Sequence, residues 1–199
     1  MPAIINDEQY YEAQFKQISA SDQRYINVEF EGCEFVDCDF SSAQFSSCKF
    51  IDCVFDRCNL SLAQFSYSRI NNVQFNECKL VGVDWTKANW PSFHADHEIT
   101  FKYSILNDSS FFALTMQNLR CIECKIHDAD FREADLSESQ FLGCDFTHSL
   151  FHHTNLASCD FSDSQAFNID VLENNVKQAT FSRYEALYLL ESLGIELVD

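Results

Sequence analysis

The pair Cys121-Ile-Glu-Cys124, with His127 three residues further on, has a spacing that zinc or thiol redox chemistry uses. Either chemistry needs more: further ligands for the metal, or an exposed thiolate for redox. His94 and His97 lie in an irregular stretch, and His148, His152 and His153 fall at positions expected to face outward. No nucleophile–base pair, Gly-rich phosphate loop or metal triad is recognisable. The chain is therefore expected to be non-enzymatic, with no cofactor and no metal. Carboxylates carry more weight. Glu123, Asp128, Asp130, Glu133, Asp135, Glu138 and Asp145 gather in the second half, and Asp37, Asp52 and Asp56 in the first. With 13 basic against 31 acidic residues, the net charge of −18 argues against nucleic acid or an anionic membrane as a direct partner. Solvation alone accounts for an acidic surface; docking into a basic groove is the alternative.

What positions these groups is a period of five. From Val28 the sequence reads VEF EGCEF VDCDF SSAQF SSCKF IDCVF DRCNL, with Phe30, Phe35, Phe40, Phe45, Phe50, Phe55 and Leu60 at every fifth place. Two places before each stands a small residue: Val28, Cys33, Cys38, Ala43, Cys48, Cys53, Cys58. On an α-helix such a period spirals round the axis and leaves no stripe to bury. On a flat strand it sends successive Phe to opposite faces. A coil that turns a corner every five residues gives the chain one inside. Four sides make a turn of twenty residues, and turns stack at about 4.8 Å. The fold class is therefore all-β, a quadrilateral β-helix. Nine of the ten cysteines occupy the small inward position and Cys121 a central one, so all are expected to be buried, reduced thiols.

Taken in order, residues 1–12 are a lead-in and the first turn, around Gln23 and Tyr25, is expected to be irregular. The repeat runs in one phase to Trp90. Tryptophan is too large for a regular central site, so Trp85, Trp90 and Pro91 mark the end of the first run. Residues 91–100 break the pattern, which resumes shifted by one at Phe101 and weakens around Leu114–Cys121. The shift leaves the rotation between the two segments open. The repeat decays after Ser164, and residues 1–181 are assigned to the β-helix, interrupted at about 91–100. Residues 182–199 form a second module. Ser182 and Glu185 suit the capping box of a short α-helix that Gly194 stops. Tyr184, Leu187, Tyr188, Leu190 and Leu193, with Ile195 and Leu197, are too many apolar residues for a helix facing water, and a C2 homodimer is the expected way to cover them. The first residues lack a cationic n-region and an apolar h-region, and no apolar run reaches membrane-spanning length, so the expected location is cytoplasmic.

The pattern, clearest in FREADLSESQFLGCDF (131–146), resembles the pentapeptide-repeat family, whose unit is small–Asp/Asn–Leu/Phe–x–x. The resemblance implies a right-handed coil. A single interruption after LVGVDWTKANWP (80–91), an end in CDFSDSQAFNID (159–170) and a short helix running into LGIELV (193–198) resemble the Qnr, MfpA and McbG branch. That likeness implies a DNA mimic that binds DNA gyrase or topoisomerase IV and protects it from quinolones or peptide toxins. It also implies that the interruption, through Ser92, Phe93, His94, Asp96, His97 and Glu98, tunes protection. The chain departs from Qnr in having one short interruption instead of two projecting loops. About eight coils make a rod of about 38 Å, close to one turn of duplex DNA at about 34–36 Å. The other reading is a scaffold with an unrelated protein partner.

Overall fold

The computed structural model describes residues 3–90, 98–196 and 198. Large central side chains and small partners two residues earlier all turn inward, as with Phe35 and Cys33, 1% and 0% exposed. Twenty residues close one coil: Phe15 lies beside Phe35, Phe35 beside Phe55 and Phe55 beside Phe75 in parallel register. Four walls result. Wall 1 is centred on Tyr10, Phe30, Phe50 and Ile70; wall 2 on Phe15, Phe35, Phe55 and Phe75. Wall 3 carries Phe40, Leu60 and Leu80, and wall 4 Tyr25, Phe45, Phe65 and Trp85.

Rings stack along each wall. On wall 2 the centroid spacings from Phe15 through Phe35, Phe55 and Phe75 to Phe101 are 5.0, 4.4, 5.0 and 5.2 Å, with planes within 15° of parallel. Neighbouring walls meet edge to face, as Phe30 meets Phe35 at 5.2 Å. Offset stacks and T-shaped pairs are the arrangements that aromatic quadrupoles favour, so one residue type fills a narrow square interior.

The corners explain the rest of the unit. Among the described residues, those two places after a centre are left-handed from Asp7 to Asp163, mostly without glycine, except Lys87 after Trp85, which lies in a 3-10 turn. Asp and Asn tolerate that region better than other side chains. The residue before the centre closes the same corner from outside. Asp39, Asn59, Asp135 and Asp160 each accept the N–H of the residue two further on, at 2.9–3.2 Å.

Several expectations are corrected. The first coil is regular: Gln9–Tyr11, Gln14–Lys16 and Arg24–Ile26 all pair with the second coil, and Tyr25 is buried. Ile4 packs on the core there, and the Tyr10 hydroxyl donates to Ala3 O and accepts from Ile5 N. Trp85 does fit a central site. It is fully buried and stacked between Phe65 at 5.5 Å and Phe111 at 6.0 Å, because the indole continues a ring column. Leu114–Cys121 also keeps the register, with Met116 and Leu119 buried.

The interruption is shorter than the sequence pattern suggests and rotates nothing. Val73–Asn76 pairs with Ile99–Lys102, so stacked partners lie 26 residues apart instead of 20. Six residues are inserted at the corner between walls 1 and 2, and Glu98, Ile99 and Thr100 already belong to the next coil. Wall 2 then runs on through Cys121, Phe141, Phe161 and Phe181, a nine-stranded parallel sheet from end to end. The phase shift is one extra pentad plus one residue, which returns the chain to the same wall.

The C-terminal segment is a 3-10 helix, Glu185–Leu193, and not an α-helix. No capping box forms: Ser182 Oγ accepts from Asp163 N and Glu185 Oε2 from Ala166 N, so both groups bind the preceding coil. Gly194 does stop the helix, at φ 71° with its N–H on Glu191 O and Leu190 O.

Candidate binding edge

The cysteines hold no exposed chemistry. All ten are free and buried. Eight of the thiols donate to carbonyls two and twenty-three residues back, as Cys124 Sγ does to Ile122 O and Phe101 O, and Cys159 Sγ donates to Leu136 O alone. Burial pushes the Cys121 thiol well above its usual range, and Cys159 up to about 12. Among the described residues no group of three His, Cys, Asp or Glu is placed to hold a metal.

The carboxylates divide into two kinds. Asp130, Asp135 and Asp145 precede a wall centre and are half-buried corner closers. Burial raises the Asp135 carboxyl, but Ser137 N and Oγ, Gln117 and Asn155 outweigh it and hold it below the usual carboxylate range. Asp130 is lowered mainly by Arg132, whose Nε and Nη2 lie at 2.9 and 2.8 Å. Asp37 and Asp56 both bind Arg57. These five are satisfied within the rod.

Glu123, Asp128, Glu133 and Glu138 are the outward kind, exposed at left-handed corners. They follow one another at five-residue intervals, so they occupy the four successive corners of one coil. The cluster apparent in the sequence is a belt around the rod, and no one wall carries it.

The fold gathers a different set. The corner between walls 1 and 2 reads Glu12, Gly32, Asp52, Asn72, Glu98, Asn118, Glu138, Ser158 down consecutive coils. All four of its carboxylates are exposed, and no Lys or Arg stands in the column. They alternate with Gly or Asn, about 9.6 Å apart; Asn72 Nδ2 donates to Asp52 Oδ1 at 2.6 Å. Asp52, Glu98 and Glu138 were separate candidates in the sequence. Glu12 was missed, although its spacing from Asp52, twice twenty, was the available signal. The six extra residues fall in the chain at this same corner. Ser92, Phe93, His94, Asp96 and His97 lie outside the described residues, as does Leu197.

At the C-terminal end Tyr184, Leu187, Tyr188, Leu193 and Ile195 are exposed, Tyr184 at 81%, and Leu190 is half-buried. Leu189, not singled out in the sequence, is the helix residue that packs on the core.

Models of pentapeptide repeats match residues 28–111, as a pentapeptide repeat region, and 124–163, as eight pentapeptide copies. No curated protein matches the chain in sequence. Among solved structures, QnrB1, a plasmid-mediated fluoroquinolone resistance protein, superposes with a TM-score of 0.65 at 22% identity, over 98% of this chain and 97% of that one. HetL, a pentapeptide-repeat protein involved in heterocyst differentiation regulation in the cyanobacterium Nostoc, gives 0.69 at 12% identity, over 88% and 85%. Both likenesses concern the fold.

Proposed function

Because the chain belongs to the pentapeptide-repeat family, we propose that it is a non-enzymatic binding protein of the Qnr-like branch that docks as a DNA mimic on DNA gyrase or topoisomerase IV. The observation that carries this reading is the corner line Glu12, Asp52, Glu98, Glu138: four exposed carboxylates with no cation among them. From first to last they span six coil steps, about 29 Å, a length that a basic DNA-binding groove accommodates. Binding there is Coulombic and exposed, so it weakens as salt rises. Quinolone or toxin protection, a cytoplasmic location, and a homodimer built through the exposed apolar C-terminal residues belong to the same proposal.

The test is gyrase supercoiling and direct binding at low and high salt. The wild-type chain binds at low salt. The triple variant Asp52→Asn, Glu98→Gln, Glu138→Gln loses at least about tenfold in affinity, at roughly 0.5 kcal/mol per rim charge. Absence of binding to either topoisomerase at low salt sinks this reading. One observation favours the second reading, a scaffold for another protein. Wall 4 and its flanking corners carry exposed Leu62, Tyr67, Phe112 and Leu150, which a mimic of duplex DNA does not need. The triple variant separates the two, because scaffold binding through wall 4 survives it.

A further inference from the structure

Wall 4 carries exposed apolar side chains along its length. Leu62 and Tyr67 stand at its two corners on one coil, Phe112 two coils on, and Leu150 two coils beyond that. The first two sit where the fold does not favour them. They hold φ at 59° and 58°, a left-handed conformation that Asp, Asn or Gly takes with less strain. Neither is buried, so the core gains nothing from them. Strain kept at exposed apolar positions points to a use outside the core. Gly82 makes room beside them: a β-carbon there would stand 2.7 Å from Leu62 Cδ2. Leu62 therefore lies over Gly82, at the side of a hollow of about 550 Å³ lined also by Ala63, Gln64, Ser66, Asp84 and Lys87.

Charge says what this strip accepts. On and beside wall 4 the charges cancel in pairs. Lys87 Nζ lies 3.6 Å from Asp84 Oδ2, and Arg132, whose guanidinium stands 5.8 Å from the Phe112 ring centre, bonds Asp130 at 2.8 Å. The corner between walls 3 and 4 is acidic: Asp22, Asp108 and Asp128 are exposed and share a column that holds no Lys or Arg. Asp108 stands over Asp128, about 4.8 Å away, with His148 Nδ1 3.6 Å from Asp128 on the other side. A second copy would bring the same acidic corner to the strip, where like charges oppose binding. A partner with its own cations fits. Spacing selects its shape. Apolar groups two coils apart lie about 9.6 Å from each other, and residues seven apart on an α-helix about 10.5 Å. Phe112 and Leu150 fall on opposite sides of the wall's centre line, so the strip is as broad as the wall. That suits a helix about 10–12 Å across better than one extended chain. We propose that wall 4, from Leu62 to Leu150, docks a basic amphipathic α-helix of a partner protein. Its apolar stripe lies along the rod and its Lys or Arg side chains meet Asp108 and Asp128. This corner is diagonally opposite the edge from Glu12 to Glu138, so the inference does not rest on topoisomerase binding.

The test is fluorescence anisotropy of a labelled helical peptide of about 18 residues, with leucine at heptad positions a and d and lysine beside them, titrated with the full-length protein. The same residues in scrambled order are the control. At physiological salt the patterned peptide binds at least about tenfold more tightly than the scrambled one. Tyr67→Ser, Phe112→Ser and Leu150→Ser together lower its affinity about tenfold or more, with folding checked by circular dichroism. Asp108→Asn with Asp128→Asn removes a repulsion and so keeps the fold; it lowers affinity about three- to tenfold and flattens the salt dependence. Asp52→Asn, Glu98→Gln, Glu138→Gln, on the far side of the rod, changes it by less than about twofold. A scrambled peptide that binds as well as the patterned one overturns the inference, because attraction would then be charge alone. So does a patterned peptide that does not bind, or one whose binding is indifferent to both the wall 4 variant and the Asp108, Asp128 pair.

Discussion

Leu62 holds φ at 59° on the corner between walls 3 and 4, with 58% of its surface exposed, and its Cδ2 lies over Gly82. A β-carbon costs about 1 kcal/mol in the left-handed region, and Asn tolerates the region better than Leu. The side chain makes little buried contact to offset the strain. Leu62→Asn is therefore expected to stabilise the protein by about 0.5–1 kcal/mol, read as a raised urea midpoint at unchanged slope. A lowered midpoint would mean that the Leu62–Gly82 contact outweighs the corner strain. At this scale the inward residues were legible, because burial selects Phe and Cys by size and repeats the choice every five places. The occupants of the corners were not: Leu62, Tyr67, Arg57 and Asp52 share one backbone conformation, and no chemical property common to them announces it.

Asp135 shows how a coil is closed. Its carboxylate accepts from Ser137 N and Oγ in its own corner, from Gln117 in the coil above and from Asn155 in the coil below, at 2.8–3.1 Å. Asn175 continues the ladder by donating to Asn155 Oδ1. Asp135→Ala leaves the Ser137 N–H without its acceptor and interrupts the ladder. The expected cost is about 1–2 kcal/mol, the loss typical of a capping side chain, measured by thermal or urea unfolding. The same bonds fix the acid response. Folding depresses the carboxyls of Asp39, Asp130, Asp135 and Asp145, so they contribute stability above the usual Asp value, about 3.9, and that stability is lost as pH falls through their folded values. Ladder stacking also governs where acids stand. Like charges one coil apart would lie about 4.8 Å from each other. Among the described paired coils such positions hold amides, hydroxyls, apolar groups or cations, the exception being Asp108 over Asp128. A run of acids dense in sequence is for that reason spread around the rod. Adding charge along the chain overstated any single face; reading the carboxylates at intervals of twenty would have found the edge from Glu12 to Glu138.

The whole rod follows from one period: the first coil, Trp85 and Leu114–Cys121 keep to it more closely than the sequence reading allowed, while the interruption and the C-terminus are places where the period alone does not decide. At the interruption, the count from Trp90 to Phe101 gave a phase shift but not which wall the chain rejoins; the pairing of Phe75 with Phe101 does. At the C-terminus, Ser182 and Glu185 have the right spacing for a helix cap but lie within reach of unpaired N–H groups of the preceding coil, which win. The helix they would have capped buries none of its residues fully. Its packing falls to Leu189, while Tyr184, Leu187 and Tyr188 face outward. Exposed aromatic and aliphatic groups of this kind mark association surfaces, and the proposed homodimer would cover them with a second copy about a two-fold axis. On the proposed homodimer, the wild type is expected to run as a dimer in light scattering and the double variant Leu187→Glu, Tyr188→Glu as a monomer, with monomer stability changed by no more than about 0.5 kcal/mol. Leu189→Ala is expected to do the reverse, lowering stability by about 1–2 kcal/mol for a half-buried leucine while leaving assembly in place. A wild-type monomer, or a double variant that still pairs, would show that these residues do not form the contact between copies.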